Sequence, residues 1–422
     1  MSQSRPRDRF VKLAVLTWAV SAIPNFLNFW AQPHLSVQAG GEALRTPAAT
    51  GAVRLLTIVL CSYCVLIFLQ RRPHSDKRLP FLMGLLAFAP LLIFVFSSLI
   101  NGQLTVARAA DSVVAALVIG ACCRLRPNLR NLFVVGYLAS ASCALSLVLL
   151  LLKPENAYFV DTFGSINNST KALIGSNQLA GIFGHSNTLG IVAGVSIAIL
   201  ACRKLTRSSG VAMALAAAAL VGSSSRTTLI AALFVFAAVV AGYLYRTTKG
   251  RPTSSVTLLP ALALLIVPLV TTSPRAFTSR GLIWQGSLSQ MQSSWTFGLG
   301  PDWYATIGSS FGALGAEATS GHNLFIHVLT TTGVLGVLVY AGLYCTIFIY
   351  QSKLPWKEAR IAVLYCTMIL SVSILEYPWN FRPSSETFLV VTFAHAAILV
   401  ALGSSSSLTK KNFDEVQAAH LK

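Results

Sequence analysis

The side chains of this chain that can move a proton or neutralise a phosphate fall mainly between positions 181 and 382. The stretch Gly321-His-Asn is followed, nine residues after Asn323, by Gly333 and then by Gly336. His322 stands at the opening of an apolar run, where a helix N-terminus disfavours the imidazolium form. A neutral imidazole is what a general base requires. A lone histidine at a membrane interface also serves as a structural donor, and both readings fit the residues. Arg280 opens Arg-Gly-Leu-Ile-Trp284, and Gly298-Leu-Gly300 follows. Arg280, Ile283, Trp284, Ser287, Leu288 and Met291 recur at helical spacing. They predict a short amphipathic helix at the membrane surface, capped by Thr278 or Ser279. An arginine among the backbone N–H groups of a helix start is phosphate-binding chemistry. The alternative is an arginine snorkelling to the headgroups beside an interfacial Trp284.

Three further stretches carry polar groups against an apolar background. Gly222-Ser-Ser-Ser-Arg226-Thr-Thr sets Arg226 at the junction of two apolar runs, slightly below the surface, where an unpaired charge is costly. Gly181-Ile-Phe-Gly-His185-Ser-Asn187 opens another run, and His185 and Asn187 there either cap a helix or line a cavity. Glu376 begins Glu-Tyr-Pro-Trp at the end of a third, placed to orient the histidine or to pair with Arg382. Arg275 and Arg382 join it as second-tier candidates, while His327 reads as packing.

These residues need elements to hold them, and the composition says which. Hydrophobic residues make up 54% of 422 and charged residues 11%, against about 25% charged in an average soluble domain. Apolar runs recur at the length of roughly 17–25 residues that crosses a bilayer as helix. The fold class is therefore all-α and polytopic, and continuous apolar runs exclude an alternating membrane β-barrel. Twelve spans are read, at about 13–30, 53–69, 80–99, 105–122, 132–152, 179–201, 211–225, 227–245, 256–272, 323–350, 361–377 and 386–403. The chain reads as one integral membrane domain over 1–422, with outer loops at 153–178 and 273–322 and a short cytoplasmic tail at 404–422. The long loop between spans nine and ten has the room for chemistry. The first span keeps no small-residue cleavage pattern behind it and is read as uncleaved.

Lys and Arg number 32 against 13 Asp and Glu, a formal charge of +19. In a soluble chain this would point to nucleic acid. Here twenty-three of the basic residues fall on one side of the twelve spans, from Arg5, Arg7, Arg9 and Lys12 to Lys410, Lys411 and Lys422. That asymmetry places both termini in the cytoplasm and removes the need for a nucleic-acid partner. The remaining nine are Arg45, Arg54, Arg108, Lys153, Lys171, Arg226, Arg275, Arg280 and Arg382. They lie outside the trend, and some of them therefore need a carboxylate or an anionic ligand; Asp111, one helical turn from Arg108, is its expected partner. The eight cysteines fall in spans or at cytoplasmic ends, so no disulfide framework is expected outside. Cys61-Ser-Tyr-Cys64 has metal-like spacing but lacks a second pair, and no metal site is assigned.

Taken together, the four motifs resemble those of the O-antigen ligase family of lipid-linked glycan enzymes. His322, Asn323, Gly333 and Gly336 match its His-Asn-X9-Gly-X-X-Gly signature without a gap. Arg280 to Trp284, Ser225-Arg226 and residues 181–187 resemble its other motifs, with Ser186 where proline is common. The resemblance covers roughly residues 175–340. It implies a metal- and cofactor-independent glycosyltransferase in the bacterial inner membrane. The donor is O-antigen on undecaprenyl diphosphate, and the acceptor is lipid A–core oligosaccharide on the periplasmic face, among membrane lipids. In that reading His322 is the base, and Arg226 and Arg280 neutralise the departing diphosphate. Asn323, Trp284, Arg275, Arg382, Glu376, His185 and Asn187 hold substrate.

Three rivals share parts of this pattern. An O-antigen polymerase of the same superfamily is associated with paired Arg-X10-Gly motifs; Arg275 and Gly286 alone have that spacing. Protein O-oligosaccharyltransferases share the His-Asn pattern but many carry further soluble regions. A twelve-span secondary transporter is the rival from another class. The loop Gln-Arg-Arg-Pro-His-Ser-Asp-Lys-Arg after the second span lacks the major-facilitator element, and no repeat between the halves is visible.

Overall fold

The computed structural model describes residues 6–34, 45–70, 81–159, 172–173, 177–244, 253–306, 318 and 320–404. The expected tail beyond residue 404, Arg5, Lys171, Lys410, Lys411, Lys422 and the basic loops at 71–78 and 246–251 lie outside them, as does most of the 153–178 loop. The described residues are helical, joined by short irregular connections, with a single bridge between Tyr158 and Leu179.

Six helices are long and apolar enough to cross a membrane: Pro6–Ala31 (α1), Pro47–Leu69 (α2), Phe81–Ile100 (α3), Val106–Leu125 (α4), Leu129–Leu152 (α5, with a one-turn 3-10 lead-in) and Leu324–Ser352. Helices also stand at the other predicted places, shorter or more charged. They are Ser186–Leu200 (α6), Arg207–Ser223 (α7), Arg226–Leu244 (α8), Thr253–Val270 (α9), Trp356–Ser373 (α12) and Leu389–Ser404 (α13). Ala276–Gln290 (α10) precedes the long helix, which is α11. The apolar helices make this a multi-pass membrane protein by length and composition.

Burial sorts the helices into an inner and an outer set. In α12 every residue from Ile361 to Ser373 is buried, and it packs against α6, α8 and α9. By contrast α2 turns Leu55, Ile58, Leu66 and Leu69 outward, as a lipid-facing helix does. Between helices in lipid, close packing of small residues replaces the hydrophobic drive. Gly190 and Gly194 on α6 do this: a Cβ at either would lie 2.5 Å from Ser225 or 2.6 Å from Thr228.

The long helix α11 is broken. Gly333 has φ +69° and ψ −168°, and a Cβ there would meet the Thr296 carbonyl oxygen at 2.3 Å. The break strips backbone partners from both sides, and the segment 295–300 supplies replacements. Val334 N–H donates to Trp295 O at 2.8 Å, while Leu299 and Gly300 N–H donate to Thr330 and Thr331 O at 2.7 and 3.1 Å. Every group freed within the bundle must be satisfied this way.

Several details differ from the sequence reading. The 280–291 helix exists, but its predicted face, with Ile283, Trp284, Ser287 and Met291, is buried inside the protein and not laid on the membrane surface. The α6 helix begins at Ser186, seven residues after the predicted start at 179, leaving residues 181–185 of the motif as a turn. Helix α12 ends at Ser373, four residues short of the predicted 377, and 374–388 is irregular; Pro378 disfavours helix in Tyr377 within it. Arg108 pairs with Asp302 rather than Asp111, and Asp111 pairs instead with Arg382 at 3.3 Å.

Candidate active site

Glu376 is the point at which distant parts of the chain meet. Its Oε1 accepts from Arg280 Nη2 at 2.5 Å and from Asn187 Nδ2 at 2.7 Å. Its Oε2 faces His322 Nδ1 at 3.5 Å, an ion-pair separation longer than an ordinary hydrogen bond. The carboxylate side chain is 11% exposed and that of Arg280 16%, so this pair is largely removed from water. Burial pushes the Glu376 carboxyl up. The His322 side chain and the Arg280 charge, with His185 behind them, outweigh it and hold the group below its ordinary value. Glu376 is therefore ionised, as a carboxylate must be to orient a histidine.

Each partner is placed by its own local structure. Asn187 lies in the first turn of α6, where His185 is the N-cap and its Nδ1 accepts from the Asn187 N–H at 3.0 Å. The preceding turn is pinned from two sides: His34, just beyond α1, donates from Nε2 to Gly181 O at 2.9 Å, and Glu386 Oε1, in the segment before α13, accepts from Gly184 N–H at 2.6 Å. Asn25 Nδ2 also donates to Glu386 at 3.3 Å. Arg280 begins the right-handed part of α10, directly after Phe277, Thr278 and Ser279 with φ of 51°, 61° and 66°. Left-handed residues with side chains cost about 1–2 kcal/mol each, so packing must over-determine this turn. Gly281 permits it, since a Cβ there would strike Ser273 O at 2.2 Å.

His322 is held through its neighbours. Asn323 is wholly buried and caps α11, its Oδ1 accepting from Ile326 N–H at 2.9 Å. Its Nδ2 donates to Leu264 O at 3.1 Å and to Ile374 O at 2.9 Å, tying α9 and the end of α12 to the same point. On the other side, Trp284 Nε1 donates to Gly321 O at 2.9 Å and Gly321 N–H donates to His327 Nδ1 at 3.2 Å. His327 is itself stacked between Tyr377 and Tyr304, at ring separations of 3.5 and 5.2 Å. His322 adopts φ 44° with a quarter of its side chain exposed, and its Nδ1 is shielded.

The structure thus brings together His322, Glu376, Arg280 and Asn187, with His185, Trp284 and Asn323 supporting them. Arg226 is exposed at the first residue of α8, beside Ser225, which abuts Gly190 one turn beyond Asn187. Arg275 is exposed at the start of α10, and its guanidinium has no ion-pair partner among the described residues. Arg382 is half-exposed and engaged by Asp111. Sequence reasoning missed Glu386, the bracing role of His327 and its two tyrosines. For Glu386 the available signal was its place: it and Glu376 are the two carboxylates between α12 and α13. Among the described residues, no three His, Cys, Asp or Glu gather as metal ligands.

Residues 211–341 match the family model described as O-antigen ligase. The matched segment holds Arg226, Arg275, Arg280, Trp284, His322 and Asn323; Asn187 and Glu376 lie outside it. No curated protein matches the chain.

Proposed function

We propose that the chain is an O-antigen ligase. It transfers glycan from undecaprenyl diphosphate to a sugar hydroxyl of lipid A–core at the periplasmic face of the bacterial inner membrane, with both termini cytoplasmic. The observation that carries this reading is the Glu376 carboxylate set between His322 and Arg280. It is the base-and-orienter arrangement of general-base catalysis. The acceptor O–H loses its proton to His322 Nε2 as its oxygen bonds to the anomeric carbon of the donor. The bond from that carbon to the diphosphate breaks, and the diphosphate leaves with the electron pair. Glu376 keeps the Nδ1 proton in place and stabilises the imidazolium. Arg226 and Arg280 neutralise the leaving group, as preorganised cations do without a metal. Arg275, exposed near the same helix start, assists donor capture. Attack from the back inverts the anomeric centre.

The test is a reconstitution of purified protein with lipid-linked O-antigen, lipid A–core and EDTA, alongside His322→Ala. Ladder-like lipopolysaccharide from the wild type and none from the variant is expected. Longer glycan still attached to undecaprenyl diphosphate would make it a polymerase. Glycan on protein would make it an oligosaccharyltransferase, and gradient-driven uptake without transfer a transporter.

A further inference from the structure

Toward the end of the bundle remote from Glu376, residues of α5 and α7 line an open groove of about 510 Å³. Its walls are Ala141 and Ala144 on α5 and Val211 and Leu215 on α7. The floor is Ser140 and Ala212, and it offers no unmet polar group. Ser140 Oγ lies 2.6 Å from Ser196 Oγ and donates to Ala212 O at 2.9 Å. From Tyr137 to Ala144 the groove runs about 10 Å along α5, at 1.5 Å per residue. Its interior therefore suits a hydrocarbon chain.

The mouth has the opposite chemistry. Arg207, Ser208 and the Tyr137 ring line it. Arg203 is fixed there, its Nη1 donating to Tyr137 Oη at 2.6 Å and its guanidinium 5.2 Å from the Tyr137 ring centre. Tyr137 Oη also lies 3.3 Å from Ser208 Oγ. Neither Arg203 nor Arg207 has a carboxylate partner among the described residues, so two guanidinium charges and two hydroxyls converge unneutralised over an apolar slot. Phosphate is the group that arginine forks and hydroxyls match, and basic residues at this end face anionic lipid. The geometry points to a site for one anionic glycerophospholipid, its phosphate held by Arg203 and Arg207 and one acyl chain seated between α5 and α7. This inference is independent of the catalytic reading.

The protein is reconstituted in nanodiscs of phosphatidylcholine with and without phosphatidylglycerol, and its thermal midpoint is read in each. The wild type is expected to gain several degrees from phosphatidylglycerol. That gain should vanish in Arg203→Gln/Arg207→Gln, which clears the mouth, and in Ala144→Phe, which fills the groove. All three proteins should share one midpoint in pure phosphatidylcholine; if the groove variant does not fold, the surface double variant carries the test alone. A gain undiminished in the double variant, or no gain in the wild type, overturns the site. Equal stabilisation by soluble glycerol phosphate in pure phosphatidylcholine would overturn the acyl-chain seat and leave a phosphate site.

Discussion

Asn187 and Arg280 donate to the same oxygen, Oε1 of Glu376, at 2.7 and 2.5 Å. One donor comes from the first turn of α6 and the other from the first right-handed turn of α10. Their shared hold on Oε1 leaves Oε2 turned toward His322, and so fixes which oxygen the imidazole meets.

Glu376→Gln is expected to reduce transfer about 10²–10⁴-fold, the range of a general-base contribution. In steady-state kinetics the fall should lie in kcat. The same change leaves Arg280 without its counter-charge in a site that is mostly buried, a loss of about 3–5 kcal/mol in a buried pair. A lowered thermal midpoint should therefore accompany it. Adding His322→Ala should lower the rate little further, because residues acting as a unit are not additive. Independent, multiplicative losses would separate the two residues.

Glu386 sets a pH dependence of stability. Burial pushes its carboxyl up to about 7, against the lowering effects of the Gly184 N–H and the Arg45 charge. An unfolded glutamate titrates near about 4.3. Between these values the folded chain binds the extra proton, so stability falls as pH rises through roughly 4.5 to 7 and levels off above. Glu386→Gln keeps an oxygen for Gly184 and removes the titration. Thermal midpoints measured from pH 5 to 8 should converge with wild type at the acid end and lie higher at the alkaline end. A slope unchanged in the variant would place its origin elsewhere.

Gly333→Ala should cost about 2–4 kcal/mol, combining a left-handed φ with overpacking against Thr296. Reduced accumulation in the membrane and a lower midpoint are the readouts. Gly342, whose Cβ would meet nothing within 4 Å, should accept alanine without loss.

Asn323→Ala removes a helix cap worth about 1 kcal/mol and strands the carbonyls of Leu264 and Ile374, each costing about 1–3 kcal/mol if left unpaired. Destabilisation larger than an ordinary cap deletion is expected. Trp284→Phe, which strands only Gly321 O, should cost less. Chemical denaturation of both in one detergent gives the ranking.

The places of the helices were legible because apolar length and turn chemistry are local. His185 as a cap, the helix carrying Arg280, and the opening of α11 at Asn323 all follow from neighbours in sequence. What was not legible depends on register between helices. Arg108 finds Asp302 across the bundle although Asp111 lies one turn away, and an amphipathic stripe with Trp284 looks the same whether it faces lipid or protein. Glu376 was visible as an isolated carboxylate near an outer end. Its three partners belong to segments that only packing brings together, and the two readings of it, orienting the histidine or pairing with Arg382, differ by side-chain contacts that no spacing rule contains.

Gly321 has its N–H gripped by His327 and its C=O gripped by Trp284. The histidine next to it is in effect the tip of a pair of tongs, one jaw rooted in α10 and the other in α11. Any substrate that tilts α10 as it settles must carry Arg280 and His322 along together. Under the proposed function, donor-side and acceptor-side chemistry are then geared to a single moving part.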